Sequence, residues 1–279
     1  MSRFVVLGAS GVIGRRLAMA LRNAGEEVWT PARGDTEIFS RPLGHVIYAI
    51  GVTADFRIRP FDTVQAHVCL LTRLLREAEF DSLLYLSSTR VYSGATKCTE
   101  ETFLQVRSQE PSDLYNLSKL MGESICFSSG HKEVRVARLA NVVGGDDTQS
   151  TNFLPTLWRE AQAGKIILQS TLTSKKDYIH IDDVVNLLPR IATLGQHKLY
   201  NVASGKQISH GQWVEYFMEL TGCTVQIAID AAETIFAPID VTRVCDEFGF
   251  VPRPVFTALP AGGDIFGTST NEFKSNSTT

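Results

Sequence analysis

The chain has 279 residues, 44% hydrophobic and 20% charged, with a formal net charge of -3. That length and balance suit one enzyme-sized globular subunit with a full core and a small lobe, and they exclude fibrous classes and a basic surface for nucleic acid or an anionic membrane. Cys69, Cys98, Cys126, Cys223 and Cys245 form no C-x-x-C pair and no zinc-ligand spacing, and the chain enters its first strand without a signal or membrane-spanning run. Reduced thiols, no metal and a cytoplasmic location are therefore expected.

In chain order, Phe4-Val5-Val6-Leu7 reads as a buried strand running into Gly8-Ala9-Ser10-Gly11-Val12-Ile13-Gly14 and a helical pattern over residues 14–24. Strand, glycine turn and helix come in the order a dinucleotide needs. Gly8 allows the tight turn, Gly11 a close approach to a pyrophosphate and Gly14 helix-on-sheet packing, while Ser10, Val12 and Ile13 complete the cofactor-binding turn at a helix N-terminus. The second strand, residues 27–30, leads to Pro31-Ala32-Arg33, where Ala32 stands in the place of the carboxylate that would bind a ribose 2′-hydroxyl. Arg33 suits a 2′-phosphate instead, with Arg15 or Arg16 as a second contact, so NADP(H) is favoured and NAD(H) is the alternative.

Pro31, Gly34, Pro42 and Gly44 then punctuate the chain, so the second crossover is trimmed and no strand is expected before residues 45–50. A helix follows over 62–78 and a strand over 83–87, which ends in Ser87-Ser88-Thr89, hydroxyls that face a cofactor crevice if the sheet is parallel. The helix over 112–128 carries Tyr115 and Lys119, whose spacing puts a phenol and an ammonium on one face. A cation so placed lowers the phenol pKa toward neutral and prepares it for acid/base chemistry. A strand at 134–139 completes an α/β fold with a doubly wound parallel sheet. Beyond Gly144, a helix at 152–164, a strand at 166–168 and a helix at 209–221 capped by Ser209 read as a smaller substrate lobe. Residues 260–279, rich in Gly, Ser, Thr and Asn, read as a mobile tail.

Gly8-x-x-Gly11-x-x-Gly14, Ser87-Ser88-Thr89-Arg90-Val91-Tyr92 and Tyr115-x-x-x-Lys119, in this order, resemble the extended short-chain dehydrogenase/reductase family, in its sugar-nucleotide epimerase/dehydratase branch. The likeness continues through Arg138-Leu139-Ala140-Asn141-Val142-Val143-Gly144, Lys176-Asp177-Tyr178-Ile179-His180-Ile181-Asp182-Asp183-Val184 and Tyr200-Asn201-Val202-Ala203-Ser204-Gly205. It implies a Rossmann-type domain over 1–145 to which the chain returns at 175–203, with an interleaved substrate lobe made of 146–174 and 204–259. It also implies hydride transfer at a sugar hydroxyl or keto carbon. Tyr115 is then the acid/base, Lys119 its partner and a holder of the nicotinamide ribose, and Ser88 a hydrogen-bond donor to the reacting oxygen. A homodimer through the helices at 62–78 and 112–128 is implied as well.

Departures from the family pattern narrow the reaction. Thr89-Arg90 replaces the Asp-Glu of the 4,6-dehydratases, which argues against dehydration and leaves a 4-keto reductase, slightly favoured, or an epimerase with retained NAD. A relative without catalysis, serving as an NADP-sensing binding module, is disfavoured because Ser88, Tyr115 and Lys119 are all present. His67 stands where the family has Asn; a neutral imidazole replaces one amide hydrogen bond but not both, and the position reads either as a source of pH dependence or as a histidine satisfied within the core. The segment before Asp240 lacks the Arg that clamps a substrate diphosphate, leaving Asn141 and Lys175 or Lys176 as phosphate contacts. The expected substrate is a nucleotide-linked or other keto-sugar, met by Ser88, Thr89, Arg90, Asn141 and His67.

Overall fold

The computed structural model describes residues 1–53, 55–144 and 150–256, so the tail reading for 260–279 lies outside the described residues. Its strands are β1 (Arg3–Leu7), β2 (Glu27–Trp29), β3 (His45–Tyr48), β4 (Ser82–Ser88), β5 (Val134–Leu139), β6 (Asn141–Val143), β7 (Lys165–Ser170), β8 (Lys175–His180), β9 (Leu199–Val202), β10 (Gln207–Ser209) and β11 (Thr224–Ala232). Six of them form a parallel sheet in the order β2-β1-β3-β4-β5-β9. Between β2 and β3 the chain makes only a short 3₁₀ turn, Glu37–Phe39, before β3 pairs on the other side of β1. The order therefore reverses at β1, and the crevice beyond the carboxyl ends of β1 and β3 is the topological switch point where α/β sheets bind ligands.

Helices cover both faces of this sheet, as its continuous apolar strands require. Along β1 the side chains alternate: Phe4 and Val6 join a core with Leu17, Leu84 and Leu188, while Val5 and Leu7 join a second with Leu71, Tyr48 and Tyr85. Helices α1 (Val12–Asn23) and α6 (Ile181–Leu194) supply the first core. The second is covered by α4 (Leu114–Ser128) and by a helix that runs through α2 (Pro60–Val64), a π turn (Gln65–Cys69) and α3 (Leu70–Glu77). Of the return segment at 175–203, α6 and β9 pack on the main sheet, whereas β8 pairs with β6 and β10.

A third core is built by α5 (Phe153–Gln162) and α7 (His210–Thr221) against β7, β8 and β10. Trp213, fully buried, lies at its centre with Phe217, Tyr178 and Phe256 around it. Ser209 caps α7 through a reciprocal pair: its hydroxyl accepts the Gln212 N–H, and the Gln212 side chain accepts the Ser209 N–H. The last helix, α8 (Thr242–Phe248), brings Val244 and Phe248 to the main core. No described helix is long and apolar enough to cross a membrane.

Candidate active site

A cavity of about 810 Å³ opens at the carboxyl ends of the main sheet, between the glycine turn and the lobe. Gly11, Val12, Ile13 and Gly14 line one end. Gly8, at φ +88°, lies beneath them: a Cβ there would sit 2.8 Å from the Ala49 carbonyl, and one on Gly14 would sit 2.3 Å from the Gly8 oxygen. Positions 8 and 14 are thus closed to side chains, and Gly11 at the N-cap of α1 leaves the first-turn N–H groups without a side-chain cap. Donors of this kind on a concave wall fit a dinucleotide pyrophosphate. Ser10 is exposed at the rim and, like Gly8, is outside the cavity lining.

Midway along the cavity are Ser88, Tyr115 and Lys119. Ser88 ends β4, its hydroxyl oxygen accepting the Arg90 N–H at 3.2 Å. Ser87 donates to Glu123 at 2.5 Å, which leaves Ser88 as the strand-end hydroxyl that pulls the Tyr115 phenol down. Lys119 is 4% exposed; its Nζ donates to the Leu86 carbonyl at 2.9 Å and stands 5.9 Å from the Tyr115 ring centroid. Burial holds Tyr115 above the ordinary phenol value, with the Ser88 hydrogen bond and the Arg90 charge pulling it down. Burial also lowers Lys119 to about 7, partly offset by the Glu123 carboxylate. The expectation that Lys119 is the cation lowering the phenol is therefore corrected. Desolvation weakens the ammonium, and Arg90, 5.6 Å from the same ring, is the cation that acts on it.

Two groups support this set from behind. His67 is fully buried in the π turn and is not part of the cavity wall, so it does not offer the substrate contact expected of it. Its Nε2 accepts the Val52 N–H at 3.1 Å, which leaves Nδ1 to donate to Ser118 Oγ at 2.8 Å, and Ser118 donates in turn to the Tyr115 carbonyl. Both ring nitrogens are engaged, not one. Burial, with the Lys119 charge adding to it, lowers His67 to about 2, which removes the reading of a pH dependence. The π turn frees the Ala66 and His67 carbonyls to accept the Tyr48 and Tyr85 hydroxyls, so this irregularity is held in place. One turn beyond Lys119, Glu123 forms a buried bidentate pair with Arg138 of β5, at 3.0 and 2.6 Å.

On the cofactor side, Arg33 is exposed and outside the cavity lining. Arg16 is committed elsewhere, pairing with Asp182 at 2.9 Å, so it is withdrawn as a second phosphate contact. On the lobe side, Lys176 lines the cavity and Lys175 does not. Asn141 and Thr89 line it too, Asn141 donating to the Asp177 carbonyl at 2.8 Å. Sequence reasoning passed over Arg57 and Phe56. It also missed Glu123, although the four-residue step from Tyr115 to Lys119 continues to it on the same face.

The model of the NAD dependent epimerase/dehydratase family matches residues 4–203. The chain belongs to this family. Among characterised proteins of similar sequence is the dTDP-4-dehydro-6-deoxy-D-allose reductase of Streptomyces bikiniensis, 27% identical over 212 residues, which cover 71% of this chain and 64% of that one. A protein of the same name from Streptomyces sp is 24% identical over the same shares. The match thus spans less than two thirds of either relative. Among solved structures, MoeE5 in complex with UDP-glucose and NAD superposes with a TM-score of 0.73 at 22% identity, over 90% of this chain and 94% of that one. RMD from Pseudomonas aeruginosa complexed with NADPH gives 0.72 at 22%, over 91% and 95%. At these identities the likeness is one of fold, the Rossmann-type architecture that epimerase/dehydratase proteins share.

Proposed function

We propose that this protein is an NAD(P)-dependent oxidoreductase acting on the keto or hydroxyl carbon of a nucleotide-linked sugar, as a 4-keto reductase in preference to an epimerase. The observation that carries the reading is the convergence of Ser88, Tyr115 and Lys119 on one cavity beside the glycine turn. Gly11 to Gly14 would hold the pyrophosphate of a nicotinamide dinucleotide, which when bound would supply the hydride chemistry. In reduction, the Tyr115 phenol donates its proton to the oxygen of the reacting carbon, which the raised phenol pKa favours as the resting state. Ser88 hydrogen-bonds that oxygen, Lys119 binds the ribose hydroxyls, and Arg90 is the cation beside the phenolate left behind. Lys176 and Asn141 take the substrate phosphates. The two reductase relatives support the choice of reaction.

NADP(H) is our preferred cofactor, through Arg33. The reading includes a homodimer through α2–α3 and α4, whose exposed faces carry Phe61, Met121 and Phe127. The deciding experiment incubates the protein with NADPH or NADH and a panel of nucleotide-linked keto-sugars and hexoses, following cofactor oxidation and product stereochemistry together. Net NADPH oxidation supports the reductase. Interconversion of epimers without net oxidation moves the assignment to an epimerase, and tight cofactor binding without any turnover moves it to a sensor.

A further inference from the structure

Phe56, 2% exposed, lies beside the reacting phenol, its ring centroid 5.5 Å from that of Tyr115. Two guanidinium groups share this ring: Arg57 Cζ lies 4.5 Å and Arg90 Cζ 5.1 Å from its centroid. Both arginines line the cavity, and among the described residues neither has a carboxylate within ion-pair distance. The acidic groups whose charge reaches them, Asp113 at Arg90 and Glu110 at Arg57, are engaged within their own loop. Glu110 accepts the Ser112 N–H and hydroxyl at 3.2 and 2.9 Å, and Asp113 accepts the Arg107 N–H at 2.8 Å. Arg90 donates to the Ser112 carbonyl at 3.2 Å, which positions its fork without neutralising it. Lys119 and Lys176 add further cations to the wall, and Asp177, the one acidic lining residue among the described residues, directs Oδ1 to Ser204.

Like charges gathered at a partly desolvated wall repel, and burial together with Arg57 already disfavours the charged form of Arg90. A bound anion relieves this. Its position follows from reach: Tyr115 must touch the oxygen of the reacting carbon, and Arg90 Cζ lies 5.6 Å from the Tyr115 ring, so a group held by that guanidinium belongs to the part of the sugar next to the reacting carbon. A diphosphate on the anomeric carbon lies across the sugar ring from a reacting C4. We propose that the substrate is an acidic sugar, a uronate, with Arg57 and Arg90 binding the carboxylate beside the reacting carbon and Lys176 left for the diphosphate. This deepens the sugar-oxidoreductase reading and rests on it.

The test is titration calorimetry on NADPH-loaded protein with two ligand pairs, UDP-glucuronate against UDP-glucose and free glucuronate against glucose. A charge-assisted bidentate contact predicts a uronate preference of about tenfold or more. Arg57→Gln and Arg90→Gln should each bring that ratio toward one, with NADPH affinity and circular dichroism confirming that the variants are folded. Nucleotide ligands that bind without preference, or a preference that survives both substitutions, overturn the acidic sugar while leaving the nucleotide-sugar reading in place. A preference confined to the free pair sinks the nucleotide reading and keeps the carboxylate site. Binding of neither pair overturns both.

Discussion

At Tyr115, desolvation outweighs every charge around the phenol, so the side chain rests protonated and reduction starts from the acid form. Tyr115→Phe is expected to lower turnover by about 10²–10⁴-fold, the usual worth of a positioned acid/base group, while NADPH affinity read by cofactor fluorescence stays within a few-fold. Retained turnover would sink the assignment. His67 acts at the same scale through Tyr115. Because its ring stays neutral down to about pH 2, the pH–rate profile of His67→Asn should keep the wild-type shape between pH 5 and 8. His67→Ala instead strands the Val52 N–H and should cost about 1–3 kcal/mol in denaturant unfolding. A profile that shifts in His67→Asn would show that the imidazole titrates after all. Arg33→Ser should weaken NADPH binding by about tenfold or more and leave NADH unchanged, since only the former carries the 2′-phosphate; equal effects on both would remove Arg33 from cofactor choice.

Among the elements, α4 carries the acid/base, its lysine and the carboxylate of a buried ion pair on one face, at Tyr115, Lys119 and Glu123. The Glu123–Arg138 pair, 3% and 5% exposed, ties that helix to β5, and Ser87 adds a hydrogen bond from β4. Removing one partner leaves the other charged and buried, so Glu123→Leu should cost about 3–5 kcal/mol in urea unfolding, and Glu123→Leu with Arg138→Met should recover most of that loss. A single-variant loss under about 1 kcal/mol would mean that the pair is solvated as surface pairs are. The glycine turn, the Ser88 strand end and α4 were legible in the sequence because each has a local spacing. The π turn around His67 was not, since it is held by hydroxyls from Tyr48 and Tyr85 on neighbouring strands. Helix α6 shows the same limit: Pro189 argues against a helix, yet Ile181, Val184, Leu188 and Ile191 bury completely, and tertiary burial outweighs the lost backbone bond.

Across the molecule, Lys119 couples the site to stability. Folding lowers its pKa from 10.5 to about 7, so between those values the unfolded chain holds a proton that the folded one lacks. Stability from this group is present above 10.5 and is lost as pH falls toward 7. His210, lowered to about 4, and Asp177, raised to about 6, titrate below this window, while the raised thiols Cys98 and Cys126 act above their ordinary value of 9. Measured by urea unfolding from about pH 7 to about pH 8.5, wild type should therefore gain up to about 1 kcal/mol per pH unit relative to Lys119→Met. Parallel stability curves for the two proteins would refute a depressed lysine.

What the sequence by itself determined is the frame: a parallel α/β sheet, a glycine turn at its first strand–helix junction, and a phenol and ammonium one helical turn apart. Each follows from local periodicity or from backbone geometry that only glycine tolerates, so no distant partner is needed to read it. The tertiary structure decided the electrostatics. Burial depends on the whole fold, and it turned Lys119 from the assumed activating cation into a marginal one, fixed His67 as neutral and tied Arg16 to Asp182. It also set Arg57 and Arg90 over one buried ring, joining residues more than thirty positions apart whose proximity no spacing along the chain encodes.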